Sequence, residues 1–260
     1  MFPSDDDAQY QTSENLACRA NLFKRFGTGG WQAWVFDHLL AAGLPGDARI
    51  AEVGGGPGWL WQQNAARIPV GWLVTHTDLS PGMVTEARAN IARAGSSFDV
   101  VDAQHLPFAD ASLDALIANH MLYHVPDRAR AISEFARVLK PRGQLFATTN
   151  GEQHMAEIPV LIAAFNRLNG PILPAWPKLG FTLEGGKPDL ERCFAQVELH
   201  RSQRGVMRIT EAQPLVACIT SLGTPDAPTK AKLLEYVEAL IGAEGTVLVH
   251  TQSGLFIARK

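Results

Sequence analysis

The chain has 260 residues, 46% of them hydrophobic and 19% charged, with a formal net charge of -3; it can bury a full core as one elaborated domain or two small ones. The mildly acidic balance argues against a broad basic face for nucleic acid or anionic lipid, although a local patch stays open. Cys18, Cys193 and Cys218 lack CxxC or metal-type spacing, no apolar run is long enough to span a bilayer, and MFPSDDDAQYQTSE is too acidic for a signal peptide, so a cytoplasmic setting is expected.

Residues 1–12 read as an arm, and 13–26 as a helix with Leu16, Ala20 and Phe23 on one face. After a break at Gly27-Thr28-Gly29-Gly30, Trp31, Trp34, Val35, His38 and Leu39 recur at the spacing of an amphipathic helix that Gly43 and Pro45 end. Residues 1–45 are thus expected to form an arm and helical cap. From 46 to 150 the pattern alternates. Strands are predicted over 49–53, 72–77, 98–101, 113–118 and 144–149. Helices are predicted over 59–68, from Pro81 to residue 94, and over 128–139, the last stopped by Pro141. Residues 151–190 contain a predicted helix (154–168) and a Gly/Pro-rich stretch, and read as an inserted lid. Residues 191–260 return to the sheet, with strands over 196–200 and 206–209, helices over 211–221 and 229–241, and strands over 246–251 and 255–259. These last two are expected to pair as a hairpin around Ser253-Gly254.

Strands alternating with helices imply right-handed crossovers and a mostly parallel sheet, with ligands at the strands' carboxyl ends. Asp78, Asp102 and Asn119 each fall at such an end. The first strand runs straight into Gly54-Gly55-Gly56-Pro57-Gly58, a turn that lets backbone approach a ligand closely. The dinucleotide fingerprint G-x-G-x-x-G fails because its third glycine position is Trp59, and the P-loop fails because no Lys follows. What remains is Gly54, Gly56 and Gly58 with Glu52 two residues before. This arrangement is poorer for phosphate than for a zwitterionic or cationic ligand.

These features come with four further motifs in order: TDLSPGMV at 77–84, VDAQHLPFADASLDAL at 101–116, ANHMLYHVPD at 118–127 and RVLKPRGQLFATTNG at 137–151. Together with AEVGGGPG at 51–58 they resemble the class I S-adenosylmethionine-dependent methyltransferases, in particular the ubiquinone/menaquinone-biosynthesis-type branch. The resemblance covers residues 50–150. It implies an α/β, Rossmann-like, mostly parallel seven-stranded sheet with helices on both faces, and S-adenosylmethionine as cofactor. By the same resemblance, Gly54, Gly56 and Gly58 would line the methionine part and Glu52 would face its amino group through water. Asp78 would take both ribose hydroxyls, Leu79 and Met83 would pack on the adenine, Asp102 and the Ala103 N–H would meet its edge, and Asn119 would lie near the sulfonium. Read alone, Asp78 is equally a helix N-cap and Asp102 an ordinary loop carboxylate.

His120, Tyr123 and His124 follow the fourth strand, where acceptors approach in this fold. The two histidines, four apart, are candidates to share a helical face as general base, acceptor contact or metal ligands; the competing reading is loop histidines with ordinary hydrogen bonds. Asn150 and His154 are weaker candidates. Tyr10, Arg19, Trp34, Trp176 and Phe181 are candidate lining residues, with plain core packing the rival for Trp31 and Trp34. No metal set is apparent. The expected partner is a small molecule rather than nucleic acid or membrane, with a homodimer left open. Three functions fit: methyl transfer to a small acceptor, cyclisation of S-adenosylmethionine's own aminobutyrate arm to azetidine-2-carboxylate with release of methylthioadenosine, and a non-catalytic binding module.

Overall fold

A computed structural model describes residues 12–27, 29–93, 95–202, 205–223 and 225–260. Tyr10 and most of the predicted arm, together with Thr28 and residue 94, lie outside the described residues. Helices α1 (Glu14–Phe26) and α2 (Trp31–Ala41) precede strand β1 (Arg49–Val53). Then come α3 (Trp59–Gln63), β2 (Leu73–Asp78), α4 (Pro81–Asn90), β3 (Ser96–Val100), β4 (Leu113–Asn119), α5 (Arg128–Val138) and β5 (Leu139–Asn150). The remainder is α6 (Glu157–Asn169), α7 (Gly186–Glu191), β6 (Gln196–Arg201), β7 (Gly205–Ile209), α8 (Ala212–Thr220), α9 (Ala227–Glu244), β8 (Val247–Thr251) and β9 (Ser253–Arg259).

The local chemistry accounts for several boundaries. Ser80 Oγ accepts from the Met83 N–H and Pro81 occupies the first turn of α4, where a missing N–H costs nothing. Asp226 caps α9 by accepting from the Thr229 N–H, and Gly245 closes that helix at φ 74°. α3 is shorter than the predicted 59–68. The Asn64 amide donates to the carbonyls of Leu60 and Gln32, and a 3-10 turn (Ala65–Arg67) follows. α6 starts at Glu157 rather than 154 because His154 is tied to Gln252.

The main sheet has the order β3-β2-β1-β4-β5-β9-β6. Strands β1 to β5 are parallel, and β9 runs antiparallel between β5 and β6. Strand order reverses between β1 and β4, which puts the ligand crevice there. The alternation along β4 divides the two faces. Leu116 and Ala118 pack with Ile132, Phe135 and Leu190 on one side; Ala115 and Ile117 pack with Phe36, Leu60 and Trp61 on the other. Helices therefore cover both faces, as expected.

The predicted hairpin of the last two strands does not form. β8 pairs with β7 in a separate two-stranded sheet, whereas β9 enters the main sheet. The residues explain the split. Leu255, Phe256, Ile257 and Ala258 are buried in succession, as a central strand covered on both faces requires. β8 buries only Val249. A third core joins α1, α6, α8, α9, β7 and β8 through Leu22, Ile158, Phe165, Leu215, Leu233 and Val249. It draws α1 into contact with α8 and β7, far from it in sequence.

Candidate functional site

The glycine turn leaves β1 with Gly54, Gly56 and Gly58 at φ 64°, 57° and 78°, backbone that side-chain-bearing residues rarely adopt. Gly55 serves a different need. A Cβ there would lie 2.3 Å from His76 Cε1 and 2.8 Å from the Glu52 carboxylate, so the turn lies directly on two buried side chains. Gly55 donates its N–H to the Thr77 carbonyl at 3.0 Å, which ties the turn to β2.

Glu52 is 1% exposed and lies beneath the turn rather than on the cleft wall. Its Oε2 accepts from Trp61 Nε1 at 2.6 Å and bonds His76 Nδ1 at 3.1 Å. His76 Nε2 in turn meets the Gly56 carbonyl at 2.9 Å. Asp78, at the end of β2, does reach the cleft. Its carboxylate accepts from the Gly56 N–H at 2.8 Å and the Ser80 N–H at 2.9 Å. Each oxygen thereby keeps acceptor capacity for a ligand.

One cleft of about 1290 Å³ gathers most of the predicted residues. Gly54, Gly56, Asp78, Leu79, Met83, Asp102, Ala103 and Asn119 form one side; His120, Tyr123, His124, Asn150, Trp176 and Arg19 also line it. Burial works against ionisation of Asp102, but the Gln104 N–H and side-chain amide and the His105 ring outweigh it and hold the carboxyl below its usual range. Four predicted residues fall elsewhere. Glu52 lies under the floor, and Gly58 serves as the N-cap of α3. Trp34 sits behind the wall, stacked on Trp31 at 5.1 Å and edge-on to His38 at 4.5 Å. Phe181 is fully buried against Phe256 while its neighbour Thr182 faces the cleft.

His120 and His124 do not share a helical face. His120 takes a left-handed backbone conformation, φ 53°, directly after β4, and His124 ends a 3-10 turn (Leu122–His124). The His120 N–H bonds Thr148 Oγ1 at 2.9 Å, and its ring packs 5.0 Å from that of Trp31. Burial, with repulsion from His154 and His124, pushes the His120 pKa down to about 3. Its Nδ1 and the neighbouring Trp31 Nε1 are both buried without a hydrogen-bond partner among the described residues. Burial likewise pushes His154 down to about 4, despite its bond to Gln252. Both histidines are therefore uncharged at neutral pH.

Sequence reasoning did not single out Gln104 and Cys218 as wall residues, and it left Trp31 with plain core packing as a rival reading although Trp31 lines the cleft. Gln104 follows Asp102 by two positions, a signal of the kind that marks a turn closing on a carboxylate. Cys218 comes from α8, and no local pattern links it to the glycine turn. Among the described residues no group of three or more His, Cys, Asp or Glu is placed to hold a metal ion, and no helix is long and apolar enough to cross a membrane.

Residues 51–147 match a family described as "Methyltransferase domain". The malonyl-[acyl-carrier protein] O-methyltransferase of Hahella chejuensis is 34% identical over 132 residues, 50% of this chain and 46% of that protein. The ubiquinone/menaquinone biosynthesis C-methyltransferase UbiE of Cellvibrio japonicus is 27% identical over 186 residues, 69% of this chain and 74% of its own. The chain thus spans about half the length of several curated relatives it matches. A phosphoethanolamine N-methyltransferase 2 from Haemonchus contortus, solved with S-adenosyl-L-methionine, superposes with a TM-score of 0.61 at 20% identity, over 100% of this chain and 60% of that one. At that identity the likeness is one of fold.

Proposed function

We propose that this chain, whose residues 51–147 match a methyltransferase domain and which is similar to the ubiquinone/menaquinone-type S-adenosylmethionine-dependent methyltransferases, methylates a small-molecule acceptor in the cleft described above. One observation carries this reading. The glycine turn, Asp78 and Asp102, from three adjacent strand ends, converge on one wall, while His120, Tyr123 and Trp176 face the same space. At about 1290 Å³ the cleft exceeds the usual span of a single small-ligand site, roughly 300–1,000 Å³, and leaves room for two bound molecules.

The residues present suit the cofactor. The Asp78 carboxylate, fixed by two backbone N–H groups, is available to accept from a pair of ribose hydroxyls. Asp102 stays ionised beside Ala103 and Gln104, where it would accept from the adenine amino group. Half-exposed Leu79 and buried Met83 give adenine an apolar seat. S-adenosylmethionine, when bound, supplies a methyl group on a positively charged sulfonium leaving group. The surrounding residues then align an acceptor and exclude water. Keeping His120 neutral serves this arrangement, because an imidazolium at that wall would repel a sulfonium. With its pKa near 3, His120 is too weak a base to take a proton at neutral pH. His124 and Tyr123 remain the acceptor-side groups that could orient or deprotonate a nucleophile. Trp176, from the 170–185 segment, and Arg19 and Phe23 of α1 close the acceptor side, while Leu16 of α1 lies over Gly56.

The test is product identity. The purified protein is incubated with S-adenosylmethionine, alone and with a panel of small hydroxy, amino and enol acceptors, and the products are read by mass spectrometry. Methyl transfer predicts S-adenosylhomocysteine and a product 14 mass units heavier (about one CH₂) only when an acceptor is present. Methylthioadenosine formed without acceptor would overturn it in favour of cyclisation, and tight binding without turnover would favour a binding module.

A further inference from the structure

A histidine absent from any proposed ligand set lies under the cofactor turn. His76 is fully buried on β2 and Glu52 is 1% exposed on the adjacent β1. The ring's two nitrogens face two acceptors, Glu52 Oε2 at 3.1 Å and the Gly56 carbonyl at 2.9 Å. A carbonyl oxygen cannot donate, so Nε2 must carry a proton. The same Glu52 oxygen also receives the Trp61 indole N–H at 2.6 Å, which favours negative charge on the carboxylate and leaves Nδ1 as a donor too. A ring donating from both nitrogens is an imidazolium.

We infer that His76 is a buried, protonated positioning residue that clamps the Gly56 carbonyl and neutralises Glu52, so that Glu52 shapes the cofactor turn from below instead of receiving the cofactor's amino group. The inference rests on the proposed cofactor site. The opposite face of Gly56 supports it: the Gly56 N–H is held by Asp78 and the Gly56 carbonyl by His76. Both polar groups of one turn residue are thus fixed by β2 side chains two positions apart. Gly55 supports it again, since no larger residue fits over the pair. The titratable groups facing His76 are Glu52 from β1 and Asp78 from its own strand. Phe98 from β3 offers a ring at 6.1 Å, and α3 contributes Trp61 through Glu52. Burial alone would push the imidazole down, but the Glu52 hydrogen bond and charge, the Gly56 carbonyl and the Asp78 charge outweigh it and hold the pKa above its ordinary value. The doubly donating ring therefore persists to higher pH than an ordinary histidine would allow, and as pH rises further it loses one of its two N–H donors.

Two readouts test this. In ¹⁵N-labelled wild-type protein at pH 7.5, NMR is expected to find a proton on both His76 ring nitrogens; an unprotonated nitrogen would overturn the inference, whatever the cofactor does. In calorimetry from pH 6.5 to 9.5, wild type is expected to bind S-adenosylmethionine roughly tenfold or more tightly than His76→Gln at the acid end, the worth of one charge-assisted hydrogen bond. That ratio should converge downwards as pH rises and the ring loses one of its two donors. Taking the ratio cancels the ligand's own amine titration, which falls in the same range. Glu52→Gln is expected to move the inflection to lower pH. A ratio that stays constant with pH would refute the clamp, because a merely structural histidine gives no such convergence. Absence of S-adenosylmethionine binding at every pH would instead defeat the proposed function, and the ring protonation would still decide the state of His76.

Discussion

Gly55→Ala puts the packing beneath the cofactor turn to a direct test. The added Cβ would sit 2.3 Å from His76 Cε1 and 2.8 Å from Glu52. Neither side chain can swing into solvent, since they are 0% and 1% exposed. The ring must therefore retreat by about 1 Å to reach an ordinary van der Waals separation, which breaks its 2.9 Å contact with the Gly56 carbonyl. Overpacking costs about 1–3 kcal/mol and the lost charge-assisted hydrogen bond about 1.5–3 kcal/mol. The sum is roughly 2.5–6 kcal/mol, and at about 2–4 °C per kcal/mol for a chain near this size the melting temperature falls by roughly 5–20 °C. Gly56→Ala is the control. There the nearest atom, Leu16 Cδ2, is 3.7 Å away, so the cost is backbone strain alone, about 1–2 kcal/mol. Thermal melts followed by circular dichroism on both variants decide the matter. A Gly55→Ala protein that melts within 2 °C (about 1 kcal/mol) of wild type, or above Gly56→Ala, would refute the reasoning.

Other consequences follow from the same geometry. His120 and His154 are neutral when folded, with pKa values near 3 and 4, but take up protons when unfolded below about pH 6.5. The unfolded state then binds more protons, so stability falls as pH drops from about 6.5 towards those values. His120→Gln should flatten melting temperature against pH between about 6.5 and 5, and an unchanged slope would count against the buried neutral ring. Below about pH 4.5 the carboxylates held low, among them Asp102 and Glu157, add their own loss. Arg137 joins Glu134, Asp110 and the carbonyls of Leu106 and Phe108, and so braces the loop that follows Asp102. Arg137→Lys cannot reproduce that fork, and is expected to cost about 1–2 kcal/mol in thermal or urea melts. Trp176→Ala should raise the KM for a working acceptor roughly tenfold while leaving S-adenosylmethionine affinity within a factor of about three; equal losses in both would remove Trp176 from the acceptor wall.

The sheet from β1 to β5 was readable because short apolar runs there end at glycine, aspartate or asparagine, and the structure reproduces β1 residue for residue. The strand-end placement of Asp78 and Asp102 was readable for the same reason. The path of the last two strands was not. Ser253-Gly254 resembles a hairpin turn locally, but burial of Leu255 to Ala258 between β5 and β6 is a tertiary event. Glu52 was misplaced because spacing gives the face of a strand, not what already occupies it; a His on β2 and a Trp on α3 had taken its carboxylate. Phe181 and Trp34 were misjudged through the usual ambiguity of large aromatics, which serve cores and pockets alike. The third core escaped altogether, since it joins α1 to elements about 130–230 residues further on and no local period encodes that meeting.

The most direct test of the cofactor site is calorimetric titration of S-adenosylmethionine into wild type and Asp78→Ala. The Asp78 carboxylate reaches the cleft with acceptor capacity to spare, and hydrogen bonds to a charged group are worth about 1.5–3 kcal/mol each. Two of them predict saturable one-to-one binding by wild type and a loss of roughly 100-fold or more in the variant. Wild type that does not bind, or an Asp78→Ala protein that binds equally well, would contradict the assignment of this cleft to S-adenosylmethionine.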